Sequence, residues 1–234
     1  MVTMEEAEAL AALTLLNDDV RRALYRFVRE SPGPVTREEA AKAVRVSAKL
    51  AAFHLDKLVD GDLLEAGYEA PRGLRRRVGR APKRYRPSDL EVSLSVPSRR
   101  YDLVGEILVD GIAGAGGSVD PMEAARHAAF DKGCLLGTQR RENLHRGRLG
   151  AERTVGEARA LLQQLGFEPA DDAAGLVLRN CPFHALVGRA PELICSINVA
   201  FIDGLLRGLG NDTVRAELAP VAGSCCVRVL APRA

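Results

Sequence analysis

Two helix start signals, eleven residues apart at Thr36 and Ser47, constrain the fold of this chain more than any other feature of its sequence. Thr36 and Glu39 have the spacing of a capping box, in which the two residues cap each other's backbone N–H groups. Ser47 is a favourable N-cap for a second helix. The pattern predicts a short helix over 37–44, a three-residue turn, and a longer helix that ends near residue 60. A short helix, a tight turn and a second helix form the helix-turn-helix motif.

The faces of the helices follow from the spacing of their apolar residues. Apolar residues at helical spacing over 18–30 predict an amphipathic helix ahead of the motif. In the second helix of the motif, we expect His54 at the surface. Four apolar residues of that helix should face mostly inward, namely Leu50, Phe53, Leu55 and Leu58. Its N-terminal end normally faces the bases in the major groove, so Ser47 and Lys49 are predicted to contact DNA.

A run of basic residues follows the motif. The segment 71–86 contains eight Lys or Arg residues and no acidic residue. Gly73 and Gly79 permit the turns of a β-hairpin, and Tyr85 would lie on its second strand. Directly after a helix-turn-helix, such a run favours a phosphate-contacting wing over a solvated or disordered segment. The candidate DNA contacts in it are Arg75, Arg76, Arg77, Arg80, Lys83 and Arg84.

Residues 17–87 resemble the winged helix of ArsR- and DeoR-type bacterial regulators. The segment Ala52–Leu64 is similar to their recognition helix and the strand that follows, and Gly79–Pro87 is similar to their wing. The resemblance implies a winged helix-turn-helix domain that binds a double-stranded DNA operator. Regulators of this kind usually bind palindromic sites as dimers.

The remaining chain divides into a helical region and a mixed region. Residues 93–150 are predicted to be a helical linker and dimerisation region, and 151–234 a cysteine-containing sensor domain, after a DNA-binding domain over 1–92. We expect the helix predicted over 99–115 to form the homodimer interface, with an internal core helix as the alternative. The predicted fold class is α+β, an N-terminal winged helix-turn-helix domain plus a C-terminal α/β sensor domain.

Four of the five cysteines lie within 46 residues near the C-terminus. They are Cys181, Cys195, Cys225 and Cys226, with His184 three places after the first. Thiolates gathered in this way suit zinc or an iron–sulfur cluster better than magnesium or calcium. Residues alternate between the two faces of a strand, so we expect Cys225 rather than Cys226 to face the interior. Cys134 stands alone on a predicted helix and is interpreted as a small buried hydrophobic residue.

Spacing alone leaves several interpretations of these cysteines open. Thirteen residues separate Cys181 from Cys195 and twenty-nine separate Cys195 from Cys225, so no CxxC pair marks a zinc ribbon or a ferredoxin. Zinc could bind Cys181, His184, Cys195 and Cys225 as a tetrahedral Cys₃His set. The thiols could also be ordinary core residues, or incidental to a domain that encloses a small organic effector.

The motif Cys181-Pro182-Phe183-His184, the segment Pro191–Cys195 and the terminal Cys225-Cys226-Val227 resemble the sensor domain of SufR-type iron–sulfur regulators. With the winged helix, the resemblance covers most of 17–230. It implies a homodimeric transcriptional repressor that carries a [4Fe-4S] cluster in each subunit and controls iron–sulfur cluster assembly genes. The implied ligands are Cys181, Cys195 and Cys225, and the fourth would be His184, Cys226 or a non-protein ligand.

Other features of the sequence limit which class of protein this chain can belong to. The acidic start, Met1–Glu6, lacks the features of a signal peptide, and no apolar run approaches the roughly 20 residues that span a bilayer. We expect a cytoplasmic protein with no membrane partner, where five cysteines favour metal or redox chemistry over disulfides. The sequence has no Walker loop, no GxGxxG after a strand and no HExxH motif, so we predict no enzymatic activity.

Overall fold

The structure, a computed structural model, describes residues 6–68, 82–115, 119–144, 149–221 and 223–232. The chain divides into two units, one that ends at Leu94 and one that begins at Ser95. Each unit combines helices with a small antiparallel sheet, which confirms the predicted α+β class. Among the described residues, no helix has the length and apolar character needed to span a membrane.

The N-terminal unit is a group of helices with a three-stranded sheet. Its elements are α1 (Glu6–Leu15), α2 (Asp19–Glu30), β1 (Val35–Thr36), α3 (Arg37–Val44), α4 (Ala48–Asp60), β2 (Leu64–Gly67) and β3 (Arg84–Pro87). The strands pair antiparallel in the order β1-β3-β2. Both predicted start signals are confirmed. Thr36 and Glu39 form the complete capping box, and the Ser47 hydroxyl accepts a hydrogen bond from the backbone N–H of Leu50 at 3.2 Å.

The faces of α4 differ from the prediction at three positions. Phe53 is 57% exposed and Leu50 is 40% exposed, whereas His54 is only 7% exposed. The inward arc of the helix is centred on Leu55 and Leu58, which are fully buried as predicted, and it includes the small Ala51. With 3.6 residues per turn, Phe53 falls on the opposite side of the helix from Leu58, while His54 falls at the edge of the buried arc. The expectations of an inward Leu50 and Phe53 and a surface His54 are therefore wrong.

The C-terminal unit packs five helices on a four-stranded antiparallel sheet, counted over the described residues. Its elements are α5 (Tyr101–Gly114), α6 (Pro121–Asn143), α7 (Ala151–Gln164), β4 (Pro169–Asp172), β5 (Gly175–Leu178), α8 (His184–Val187), α9 (Pro191–Gly208), β6 (Arg215–Leu218) and β7 (Val227–Leu230). The strand order is β4-β5-β7-β6. The region 93–150, interpreted above as linker and dimerisation helices, contributes α5 and α6 to this unit, and their buried residues share one core with α9 and the sheet.

Helices α6 and α9 cross with their backbones in direct contact. Gly133 and Gly137 on α6 face Gly204 and Gly208 on α9, so each helix offers a pair of glycines one turn apart. A Cβ atom added at Gly204 would lie 2.1 Å from the carbonyl oxygen of Phe130, and one at Gly133 would lie 2.0 Å from a carbonyl oxygen of α9. Only glycine permits this approach. The crossing fixes α9, the helix that carries Cys195.

Candidate DNA-binding surface and cysteine cluster

The predicted base-facing residues lie at the exposed start of α4. Ser47 caps the helix, and both Ser47 and Lys49 are exposed. Lys57 is exposed two turns further along the same helix. The side of α4 that faces away from the domain core therefore carries a hydroxyl and two cations, which suits the negative charge of DNA.

The strand that would end the wing is held against α4 by a partly buried polar contact. The Tyr85 hydroxyl donates a hydrogen bond to Asp56 on α4 at 2.8 Å, and the Lys83 ammonium group lies 2.6 Å from the same carboxylate oxygen. Burial, followed by the hydrogen bond to Asp56, raises the pKa of Tyr85 well above its usual value. Arg84 donates to the carbonyl oxygen of Pro34 at 2.8 Å.

Sequence reasoning missed these contacts within the domain. Lys83 and Arg84, predicted to contact phosphates, also hold β3 against its neighbours. The other four candidates, Arg75, Arg76, Arg77 and Arg80, lie outside the described residues.

Three segments of the C-terminal unit bring four cysteines together. Cys181 follows β5, Cys195 lies near the start of α9, and Cys225 and Cys226 directly precede β7. The backbone N–H of Cys225 donates to the carbonyl oxygen of Leu178 at 2.8 Å, which extends the pairing of β7 with β5. Cys225 is 1% exposed and shares the buried face of the strand with Val227 and Val229, as the alternation predicted.

The four thiols interact in a row. Hydrogen bonding to the Cys225 thiol, together with burial, raises the pKa of Cys181 far above its usual value. The pKa of Cys225 rises to about 11, because the bond with Cys181 lowers it while the bond with Cys226 and burial raise it by more. Burial raises the pKa of Cys195 and outweighs a hydrogen bond from Cys226, which lowers that pKa. The neighbours are thus Cys181 with Cys225, Cys225 with Cys226, and Cys226 with Cys195.

The raised pKa values indicate neutral thiols at neutral pH, which can be buried without a counter-charge. Over the described part of the chain, no three His, Cys, Asp or Glu side chains already stand in an arrangement that could hold a metal ion. Metal binding would therefore require both the loss of thiol protons and a rearrangement that brings the donor atoms together. The donor chemistry nevertheless fits a thiophilic metal, because three chain segments supply four thiols, and those of Cys181, Cys225 and Cys226 belong to or pack against the apolar core.

His184, the remaining candidate ligand, occupies a different environment. It begins α8 with an exposed side chain, and its backbone N–H donates to the carbonyl oxygen of Cys181 at 3.1 Å. Cys134 is half-buried on α6, where its carbonyl oxygen lies against Gly208.

Asn198 is a neighbour of the thiols that the sequence did not reveal. It lies one turn after Cys195 on α9, is 1% exposed, and donates its side-chain amide to the Cys225 sulfur at 3.1 Å. Its Oδ1 atom is buried without a hydrogen-bond partner. Its spacing of three residues from Cys195 is the one sequence signal that could have placed it on the cysteine side of the helix.

Comparison with known proteins bears on the N-terminal unit. The helix-turn-helix domain family matches residues 15–66, a range that includes α2, α3 and α4. The chain is a DNA-binding transcriptional regulator. No curated protein and no solved structure matches it.

In this regulator, the first residues of the C-terminal unit are hydrogen-bonded to the cysteine loop. The buried side chain of Asn180, next to Cys181, accepts from Arg99 at 2.7 Å and donates to the carbonyl oxygens of Ser98 at 3.1 Å and Gly166 at 2.6 Å. The backbone N–H of Arg100 donates to Pro182 at 3.2 Å. Asn180 therefore connects two parts of the chain by hydrogen bonds. One is the segment that follows the DNA-binding unit, and the other is the loop that carries Cys181.

Replacing Asn180 by alanine is expected to destabilise the C-terminal unit by about 1–3 kcal/mol, because it removes the three hydrogen bonds of a buried amide, with Ser98, Gly166 and Arg99. Denaturant unfolding followed by circular dichroism measures the change. Asn143→Ala, at an exposed position of α6, is the matched control and should shift stability by less than about 0.5 kcal/mol. Equal effects of the two substitutions would contradict the role of the Asn180 amide.

Proposed function

We propose that this regulator is a homodimeric repressor that binds a [4Fe-4S] cluster and thereby senses iron–sulfur or redox status. Its ligands are Cys181, Cys195 and Cys225, with Cys226 as the fourth. The observation that carries the proposal is the row of four thiols, supplied by three chain segments, which affect one another's pKa values. Cys181 and Cys225 belong to the apolar core of the unit and Cys226 packs against it. The repressor role and the choice of an iron–sulfur cluster rest on the resemblance of the motifs to SufR-type regulators.

Cys226 is a better fourth ligand than His184. The Cys226 thiol affects the pKa values of both Cys225 and Cys195, two of the proposed ligands. The side chain of His184 is exposed. Four thiolates are the usual ligand set of a [4Fe-4S] cluster. When bound, the cluster supplies a centre whose integrity and charge depend on iron supply and oxidants.

The residues around the thiols support a route from this site to the DNA-binding unit. Ligation of a cluster by Cys181 and Cys195 would join the Cys181 loop to the start of α9, and Asn180 connects that loop to Ser98 and Arg99, just after the boundary between the units. The Cys181 loop with a cluster and the same loop without one then favour different arrangements of the segment around Ser98 and Arg99. A ligand shifts such an equilibrium by its difference in affinity for the two states.

The dimer is proposed to form through α5. Two large apolar side chains on that helix, Val109 and Ile112, are exposed, while Leu103 and Ile107 face the core of the unit. Two copies of this helix would cover the exposed pair. A dimer matches the two-fold symmetry of a palindromic double-stranded operator. We place the protein in the cytoplasm, where thiols remain reduced.

The test is anaerobic purification of the full chain, followed by a visible absorption spectrum and counts of iron, sulfide and zinc on one sample. We expect brown protein with matched iron and sulfide, close to four of each per chain. Colourless protein with one zinc per chain would replace the cluster with a tetrahedral zinc site on the same four sulfurs. Protein without metal, even after reconstitution with iron and sulfide, would refute the sensor and leave the cysteines as core residues.

A further inference from the structure

The exposed side of α4 is apolar at its centre. Phe53 and Leu50 are among the large apolar side chains that the described N-terminal unit exposes, and they lie within one turn of each other on the second helix of the motif. An exposed phenylalanine on a helix surface costs solvation free energy that burial would recover. The helix surface around these side chains therefore matches a partner with apolar groups at its contact surface.

The charges around Phe53 indicate which partner that is. Lys49, Phe53 and Lys57 follow one another at intervals of four residues, so they form a line along the helix, with Leu50 beside it. Both lysines are exposed, Lys57 with its ammonium group 3.7 Å from the exposed Asp60 carboxylate, and Ser47 lies at the exposed N-terminal end. An apolar side chain between two cations suits a polyanion that also presents apolar groups. Double-stranded DNA meets this description, because each thymine places a 5-methyl group in the major groove.

The Phe53 ring packs against the ring of His54. The two rings meet edge to face, with centroids 5.3 Å apart and planes inclined by 72°. His54 is buried, and its Nδ1 atom lies 3.9 Å from the Asp18 carboxylate that caps α2. The buried imidazole therefore forms a fixed support on one side of the Phe53 ring. A supported ring loses little conformational entropy when it contacts a partner.

We propose that Phe53 and Leu50 read thymine 5-methyl groups in the major groove and so determine part of the operator sequence. The two side chains are separated by about 4.5 Å along the helix axis, somewhat more than the rise of about 3.4 Å per base pair. Polar contacts from Ser47 and Lys49 would position the helix, while the apolar pair selects thymine at one or two positions. The inference rests on the DNA-binding function of the chain and is independent of the cysteine cluster.

The test begins with selection of preferred duplexes from a random DNA pool by the full-length protein. In the selected duplex, each thymine is then replaced by deoxyuridine, which removes only the 5-methyl group. For each contacted thymine we expect binding to weaken about fourfold, the effect of one buried methyl-sized group. In Phe53→Ala, the thymine and deoxyuridine duplexes should bind equally at the Phe53 position. Leu10→Ala, at an exposed leucine of α1, is the matched control and should keep the full methyl dependence.

The possible results distinguish a failure of methyl reading from a failure of DNA binding, the function on which methyl reading rests. Binding that is unaffected by deoxyuridine at every position, or a methyl dependence that survives in Phe53→Ala and Leu50→Ala, would overturn methyl reading while leaving DNA binding intact. Failure of the wild-type chain to bind any duplex at low salt would overturn both. Circular dichroism of each variant checks that the helices remain folded.

Discussion

Replacing Gly204 by alanine is expected to destabilise the C-terminal unit by about 3 kcal/mol. The added Cβ atom would lie 2.1 Å from the carbonyl oxygen of Phe130, and a backbone oxygen cannot rotate away as a side chain can. The helices must separate, which opens gaps along the whole crossing. Overpacking in a core costs about 1–3 kcal/mol, and this site belongs at the upper end because the obstacle is backbone. Thermal or denaturant unfolding of the full chain, followed by circular dichroism, measures the loss.

The direction of this effect distinguishes it from helix propensity. Alanine favours a helix over glycine by about 1 kcal/mol, so a glycine with open space should become more stable when replaced. Gly105 on α5 has no neighbouring atom within 4 Å of an added Cβ, which makes Gly105→Ala the matched control. We expect it to be neutral or stabilising. Equal stability of Gly204→Ala and Gly105→Ala would refute the backbone contact between α6 and α9.

Replacing Cys195 by serine is expected to abolish cluster binding. The hydroxyl is a hard, weakly acidic group that replaces a soft thiolate, so iron and sulfide should fall from near full occupancy to below about a tenth. DNA binding should then no longer respond to cluster loading, while folding and nonspecific DNA affinity remain. Iron and sulfide counts and DNA titrations with loaded and unloaded protein measure both properties.

The chain provides its own control for this substitution. Cys134 is half-buried on α6, outside the row of four thiols, so Cys134→Ser should retain the wild-type iron and sulfide content. Full cluster content in Cys195→Ser would exclude Cys195 as a ligand. Loss of the cluster in both variants would mean that the assay reports general instability rather than ligation.

Local signals in the sequence were sufficient for much of the fold. Caps at Thr36 and Ser47 involve residues within one turn of each other, so the sequence alone predicted where α3 and α4 begin. Alternation in the last strand correctly placed Cys225 inward, because one buried face specifies strand register.

Features that depend on distant segments were not predictable in the same way. Ala51, Phe53 and His54 lie close together in sequence, and which of them faces inward depends on the shape of the space left by α2 and α3, not on hydrophobicity. Strand β6 carried no recognised signal and depends on its pairing with β7.

The cysteine cluster likewise combines features that local sequence signals predict with features that depend on distant segments. The sequence indicated that Cys181, Cys195 and Cys225 could converge, since each lies in or beside a recognisable element. Spacing could not reveal that Cys226 interacts with both Cys225 and Cys195, nor that Asn198 donates to the Cys225 sulfur. Both facts depend on how α9 lies against β7, two elements that are distant in the sequence.

The crossing of α6 and α9 affects how a displacement at Cys195 would spread through the unit. Between most packed helices, side chains can change rotamer and absorb a small shift of one helix against the other. At the four glycines no side chain lies between α6 and α9, so the backbones of the two helices are in direct contact. A movement of α9 that reaches these glycines would therefore act directly on the backbone of α6.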